Sequence, residues 1–137
     1  MDKRLKILIV DDEPYITYMM CYKLQQLGLD AVAAGNGVEA LASVAAGLPD
    51  LILTDYQMPE MDGVEFCQAL ATDPVTARIP IILLTARSHR IAPSILVNTS
   101  ICHLISKPFS FHEIIQRIAE ILPAANVSLA NAVTIPD

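Results

Sequence analysis

Five short apolar runs, each followed by a helical pattern, constrain this chain more than any other feature. The third is the sharpest. Leu51, Ile52 and Leu53 form a run without polar alternation, which fits a strand buried on both faces, as in a parallel sheet. The run ends abruptly at a carboxylate, Asp55. A loop marked by Pro59 and Gly63 follows, and then a helical pattern. In open parallel sheets, ligands bind just beyond the carboxyl ends of the strands. Asp55 therefore stands where such an architecture puts chemistry. By itself it reads equally well as a helix-capping or turn aspartate.

The rest of the chain repeats the unit. Residues 5–10 (LKILIV) read as the first strand. Asp11-Asp12-Glu13-Pro14 then opens a helix, since Pro suits a first turn and acids there meet the positive end of the helix dipole. Ile16, Met20, Leu24 and Leu27 recur at helical spacing, and Gly28 supplies the stop. Residues 29–34 form a weaker second strand, and Gly35-Asn36-Gly37 is a turn. Val38, Leu41 and Val44 stripe the second helix, which ends near Gly47 and Pro49. Val64, Phe66 and Leu70 belong to the third helix, closed by Asp73-Pro74. Residues 79–84 read as the fourth strand and 101–105 as the fifth. Between them, 88–100 is the least readable segment: Pro93 is expected to interrupt its helix, and Asn98, Thr99 and Ser100 are weak formers. Ser110 and Glu113 predict a capping box for the last helix, striped by Ile114, Ile115, Ile118 and Ile121 and closed by Pro123. Alternating strand–helix units of this kind argue for a parallel sheet with helices on both faces and right-handed crossovers.

At 137 residues the chain fits one domain with its own core. A net charge of −6 and the lack of a basic stripe argue against direct nucleic-acid binding. No apolar run approaches the ~20 residues that span a bilayer. Cys21, Cys67 and Cys102 are scattered without metal spacing, which suggests a reducing, cytoplasmic setting and small core fillers. No signal peptide is expected from the residues that open the chain. His89, His103 and His112 lack metal spacing and read as structural or surface histidines. Asp62 and Asp73 read as cap or turn residues, and Glu13 as a solvated first-turn acid. Gly35-Asn36-Gly37-Val38-Glu39-Ala40 fits a dinucleotide fingerprint, with Asp55 downstream. That fingerprint belongs to the first strand–helix turn, however, and here the first turn is acidic and would repel a pyrophosphate.

Just past the strand ends stand Asp11 and Asp12, then Asp55, Thr85 and Lys107. Parallel strands share one carboxyl edge, so these side chains converge. Three carboxylates there would raise one another's pKa, and a bound divalent cation removes the conflict. Few hard oxygen ligands with room for water suit Mg²⁺. A hydroxyl and an ammonium beside the metal complete a cradle for a phosphoryl group, whose transfer needs mainly positioning and charge neutralisation.

Residues 8–14 (LIVDDEP), 51–63 (LILTDYQMPEMDG), 83–86 (LLTA) and 106–109 (SKPF) resemble the receiver domain of bacterial two-component response regulators. The four motifs stand in family order, and the resemblance covers residues 5–122. It implies a flavodoxin-like (βα)5 doubly wound sheet of strand order 2-1-3-4-5. It implies Asp55 as phosphoacceptor, with Asp11 and Asp12 holding Mg²⁺, Asp12 more directly and Asp11 partly through water. Gln57 matches the residue whose backbone carbonyl ligates the metal, Thr85 the switch hydroxyl, and Lys107 the phosphate-pairing lysine, before a bond to Pro108 that is cis in this family. Gln57 and Arg87 would flank the path of the attacking water. Leu104 stands where the family usually has an aromatic residue, so the usual aromatic coupling cannot operate. The apolar Ile91, Ile95, Leu96 and Val97 exceed one buried stripe and suggest a partner or homodimer surface.

The expected function is a phosphoacceptor receiver, residues 1–123, followed by a tail or linker, 124–137. It takes a phosphoryl group from a sensor histidine kinase or phosphotransfer protein and signals to a downstream protein. It is no enzyme beyond its own phosphoryl transfer and autodephosphorylation. Two alternatives remain: a receiver cut from a larger regulator or hybrid kinase, and a pseudo-receiver that only binds.

Overall fold

The computed structural model describes residues 4–86 and 90–122. Five parallel strands lie in the order β2-β1-β3-β4-β5. They are β1 (Lys6–Val10), β2 (Asp30–Ala34), β3 (Leu51–Asp55), β4 (Ile81–Ala86) and β5 (Ile101–Lys107). The helices between and after them are α1 (Pro14–Gln26), α2 (Gly37–Ala46), α3 (Gly63–Ala71), α4 (Pro93–Asn98) and α5 (Phe111–Ile121). This is the doubly wound, flavodoxin-like arrangement that the sequence implies.

The period-2 geometry of a strand explains why the apolar runs show no alternation. Ile7, Ile9, Leu51, Leu53, Ile82 and Leu84 face one way, against Met20 and Leu24 of α1 and Ile114, Ile115 and Ile118 of α5. Leu8, Val10, Ile52 and Ile81 face the other way, against Ala40 and Val44 of α2 and Phe66, Cys67 and Leu70 of α3. Both faces are core, so both sets must be apolar.

Local chemistry sets the helix ends. Pro14 stands in the first turn of α1. Gly28, at φ +86°, turns the chain after it, and Leu29 N–H donates to the Leu24 carbonyl at 3.1 Å. The Asn36 side chain accepts from Glu39 N–H at 2.9 Å and caps α2. Asp62 and Glu65 exchange bonds in a full capping box on α3. At α5 the Ser110 hydroxyl accepts from Glu113 N–H at 3.1 Å, one half of the expected box. Asp73 accepts from Val75 N–H in a turn, as expected.

Four expectations need correction. β4 spans Ile81–Ala86, not 79–84, so Thr85 lies within the strand rather than past it. Pro80 has no N–H to pair, and Ile79 is held in a turn by its N–H to Thr76 while staying buried. β5 runs two residues further, through Ser106 and Lys107, because both pair with β4. Pro93 begins α4 rather than interrupting it, since a first helical position needs no N–H donor. Of the cysteines only Cys67 is core; Cys21 is half-buried and Cys102 is exposed. The expectations placed on Arg87, on His89 and on residues 124–137 lie outside the described residues.

Candidate functional site

Sheet register assembles the site. Val10 pairs with Thr54, so Asp11 and Asp55 end adjacent strands side by side. Asp55 pairs with Leu84, and Thr85 with Ser106, which brings Thr85 and Lys107 to the same edge. Asp11, Asp55 and Thr85 are the buried polar groups there, each 6% exposed or less, while Asp12 is exposed. One carboxylate oxygen from each of Asp11, Asp12 and Asp55 lies within 4.8 Å of the others. Lys107 Nζ stands 2.7 Å from Asp55 Oδ1. The Thr85 hydroxyl donates to the Ala86 carbonyl at 2.8 Å. The Lys107–Pro108 peptide is cis.

The electrostatics are unbalanced toward negative charge. Burial pushes the Asp11 carboxyl up to about 6; the Glu13 N–H that it accepts at 3.0 Å opposes this, and the Asp55 charge adds to it. Burial pulls the Lys107 ammonium down, but its hydrogen bond to Asp55 and the charges of Asp55, Asp11 and Glu13 outweigh that, and its pKa rises. Lys107 therefore stays charged at neutral pH. One ammonium against three carboxylates leaves a deficit of positive charge. The donor set is all hard oxygen, and such a set with a solvent-open side fits Mg²⁺, which prefers a few carboxylates plus water.

The loop from Tyr56 to Asp62 forms the rim. Tyr56 N–H donates to the Leu84 carbonyl at 2.9 Å, and Gly63 N–H closes the loop onto the Tyr56 carbonyl at 2.7 Å. Gln57 is exposed within it. Inside the loop, Met61 N–H donates to the Pro59 carbonyl at 2.8 Å, a γ-turn centred on Glu60 at φ +70°. A non-glycine residue held there costs on the order of 1–3 kcal/mol.

Three backbone and packing roles at this rim escape the sequence reading. A Cβ at Gly63 would overlap the Asp55 carbonyl oxygen, so only glycine lets α3 start against the strand end. Gly37 leaves a recess filled by Met61, and Glu60 takes the left-handed backbone. The one available signal was the glycine that ends the loop. Two other groups play no part in this chemistry. Burial pushes the Cys67 thiol up to about 12, so it stays protonated. His103 Nε2 lies 3.8 Å from Glu120 Oε1, away from the strand ends.

Known proteins are similar to this chain in sequence and in fold. The family described as the response regulator receiver domain matches residues 7–119. The alkaline phosphatase synthesis transcriptional regulatory protein PhoP of Bacillus subtilis is 33% identical over 123 residues, covering 90% of this chain and 50% of that protein. The chain spans about half the length of the curated relatives it matches. Chemotaxis response regulator CheY4 of Vibrio cholerae superposes with a TM-score of 0.79 at 28% identity, covering 88% of this chain and all of that one (100%). Response regulator TrrA of Thermotoga maritima, solved in complex with Mg²⁺-BeF, gives 0.74 at 32% identity, covering 86% and 99%.

Proposed function

The chain belongs to the response regulator receiver family, and from that premise we propose that Asp55 is its phosphoacceptor. It is a receiver domain of two-component signalling, and such domains interact with histidine kinases or phosphotransfer proteins. The observation that carries the assignment is Asp55 itself: a carboxylate 6% exposed, clustered with Asp11 and Asp12 and paired at 2.7 Å with Lys107.

In the transfer, an Asp55 carboxylate oxygen forms a bond to phosphorus as the N–P bond of a donor phosphohistidine breaks. The imidazole leaves with the electron pair and takes up a proton. Asp11, Asp12, Asp55 and the Gln57 backbone carbonyl would hold Mg²⁺, with Asp12 the more direct acidic ligand. When bound, the ion supplies charge neutralisation at the phosphoryl oxygens. The Lys107 ammonium, already against Asp55, pairs with the incoming phosphoryl group. The Thr85 hydroxyl leaves the Ala86 carbonyl and donates to a phosphoryl oxygen. That exchange is the first conformational step of the signal. Hydrolysis of the acyl phosphate resets the site, with no other substrate turned over.

The donor is a sensor histidine kinase or phosphotransfer protein, and the receiver of the signal is a protein. Among the described residues no helix is long and apolar enough to cross a membrane. We place the exchange in the cytoplasm, where cysteines with no disulfide among the described residues are at home. The described residues fall within the proposed receiver unit, 1–123. Because the matched relatives are about twice as long, a second reading treats the unit as the receiver portion of a longer regulator or hybrid kinase, with 124–137 as linker.

Incubation with acetyl phosphate and Mg²⁺, followed by mass spectrometry, tests the assignment. Wild type gains one phosphoryl group and Asp55→Asn gains none. Mg²⁺-dependent labelling that persists in Asp55→Asn refutes it.

A further inference from the structure

The rim loop has a shape that its own residues do not select. Glu60 sits at φ +70°, where glycine is at ease and other residues rarely stay. Its side chain is exposed and has no core contact that would hold it there. Such a conformation persists only where the surroundings over-determine it. The loop's ends are pinned by the Tyr56–Leu84 and Gly63–Tyr56 backbone bonds. Between those ends, Met58 and Met61 reach the core beneath α2 and α3.

Met61 meets a matching recess. A Cβ at Gly37 would stand 2.7 Å from Met61 Cγ and 2.9 Å from its Cβ and Sδ, so the space a side chain would need at position 37 is already taken by Met61. The recess is itself firm. Gly37 is the first residue of α2, whose start is fixed by the Asn36 cap and by Gly35 N–H donating to Glu39 Oε1 at 2.9 Å. The γ-turn N–H belongs to Met61 as well, so a side chain seated in a rigid recess fixes the turn that it closes.

We propose that Met61, seated against Gly37 at the start of α2, is a positioning residue for the phosphoryl site: it holds the rim loop in the strained shape that presents the Gln57 carbonyl to the metal. This rests on the metal reading given above. Mg²⁺ demands near-ideal octahedral geometry, so a carbonyl displaced by a fraction of an ångström is a poor ligand. Without the Met61 contact the γ-turn relaxes toward negative φ, and the residues on either side of it shift. The start of α2 and the metal site are thereby coupled through one thioether side chain.

The test uses the full chain stripped with EDTA and titrated calorimetrically with Mg²⁺ alone, beside urea denaturation of each variant. Met61→Ala and Gly37→Ala each weaken Mg²⁺ binding about tenfold, the lower end for residues that support metal ligands. The double variant loses less than the product of the two, because a methyl group at position 37 occupies space that Met61 has vacated. Met61→Leu keeps the volume and stays within about twofold. Val44→Ala, buried in the same cluster but away from the loop, lowers stability and leaves the affinity unchanged. Wild-type affinity in Met61→Ala overturns the proposal, as does an equal loss in Val44→Ala. A wild-type protein that binds no Mg²⁺ overturns the metal reading, and this inference with it.

Discussion

Replacing Asp11 by asparagine should stabilise the metal-free protein at neutral pH and weaken its response to Mg²⁺. Burial pushes this carboxyl from its ordinary 3.8 up to about 6. The folded state therefore holds its proton more tightly than the unfolded chain. Stability falls wherever the folded state binds more protons and pH rises, so the loss begins near pH 4 and is complete above about 6. A gap of that size corresponds to about 3 kcal/mol, at about 1.4 kcal/mol per tenfold change in the acid constant. Asparagine cannot ionise, and its amide oxygen can still accept the Glu13 N–H that Asp11 now accepts at 3.0 Å. Thus Asp11→Asn in EDTA should gain up to about 3 kcal/mol at pH 7.5, or roughly 10 °C in melting temperature. At pH 4 the gain should shrink toward zero. Adding Mg²⁺ should raise the wild-type melting temperature more than that of the variant, because a ligand stabilises only the fold that binds it. Urea denaturation at the two pH values, with and without Mg²⁺, measures all of this. A gain equal at pH 4 and 7.5, or no gain at all, would refute the account in which burial, with the Asp55 charge added, disfavours the Asp11 carboxylate.

Two further outcomes follow from the rim and from the edge of the sheet. Gly63→Ala drives a methyl group into the Asp55 backbone carbonyl, an obstacle that cannot rotate away. Urea denaturation should show a loss of about 3 kcal/mol, the upper end for overpacking, with slower labelling by acetyl phosphate; unchanged stability would show that the close approach is dispensable. Mg²⁺ with beryllofluoride should change amide hydrogen exchange in residues 90–106 more than in α5, and unchanged exchange there, with the ligand demonstrably bound, would mean that the activated surface lies elsewhere.

The parts of this structure legible in the sequence are those set by short-range rules. Leu51 to Leu53 had to be apolar on both faces, and a parallel sheet is the arrangement that asks for that. Asp11, Asp12, Asp55, Thr85 and Lys107 converge because each stands at or just past the carboxyl end of a strand and all the strands run one way. Which of them stand side by side depends on the strand order 2-1-3-4-5, and that order was implied by the resemblance to receivers. The start of β4 was misplaced because Ile79 is buried without being in the strand, and apolar character alone does not separate the two. The Met61–Gly37 contact was illegible for a different reason. It joins residues 24 positions apart in sequence, the start of α2 and the loop after β3, and no periodicity encodes which methionine fills which recess.

The segment around α4 was hard to read for the same physical reason that suits it to carry a signal. A helix becomes legible when a buried stripe imposes its period, and α4, six residues long, has no buried residue at all. Its last turn is held by side chains instead: Asn98 donates to the Ser94 carbonyl at 2.8 Å, and Thr99 to the Ile95 carbonyl at 2.7 Å. These are local bonds, each worth about 1 kcal/mol net, and water can replace them. The neighbouring strand β5 is an edge of the sheet, with Leu104 46% exposed on it. Leu104 has no hydroxyl or flat ring to exchange with Thr85, so coupling by one swinging aromatic is unavailable. What remains is the backbone ladder itself: Thr85 pairs with Ser106, and Ala86 with Lys107, in register. On the proposed reading, a phosphoryl group that draws Thr85 and Lys107 toward Asp55 would pull on two adjacent rungs at the end of that ladder. The element with the least burial beside it yields first. A change of shape at α4 and β5 thus needs no dedicated switch residue, only a strong core on one side of the site and a weakly held element on the other.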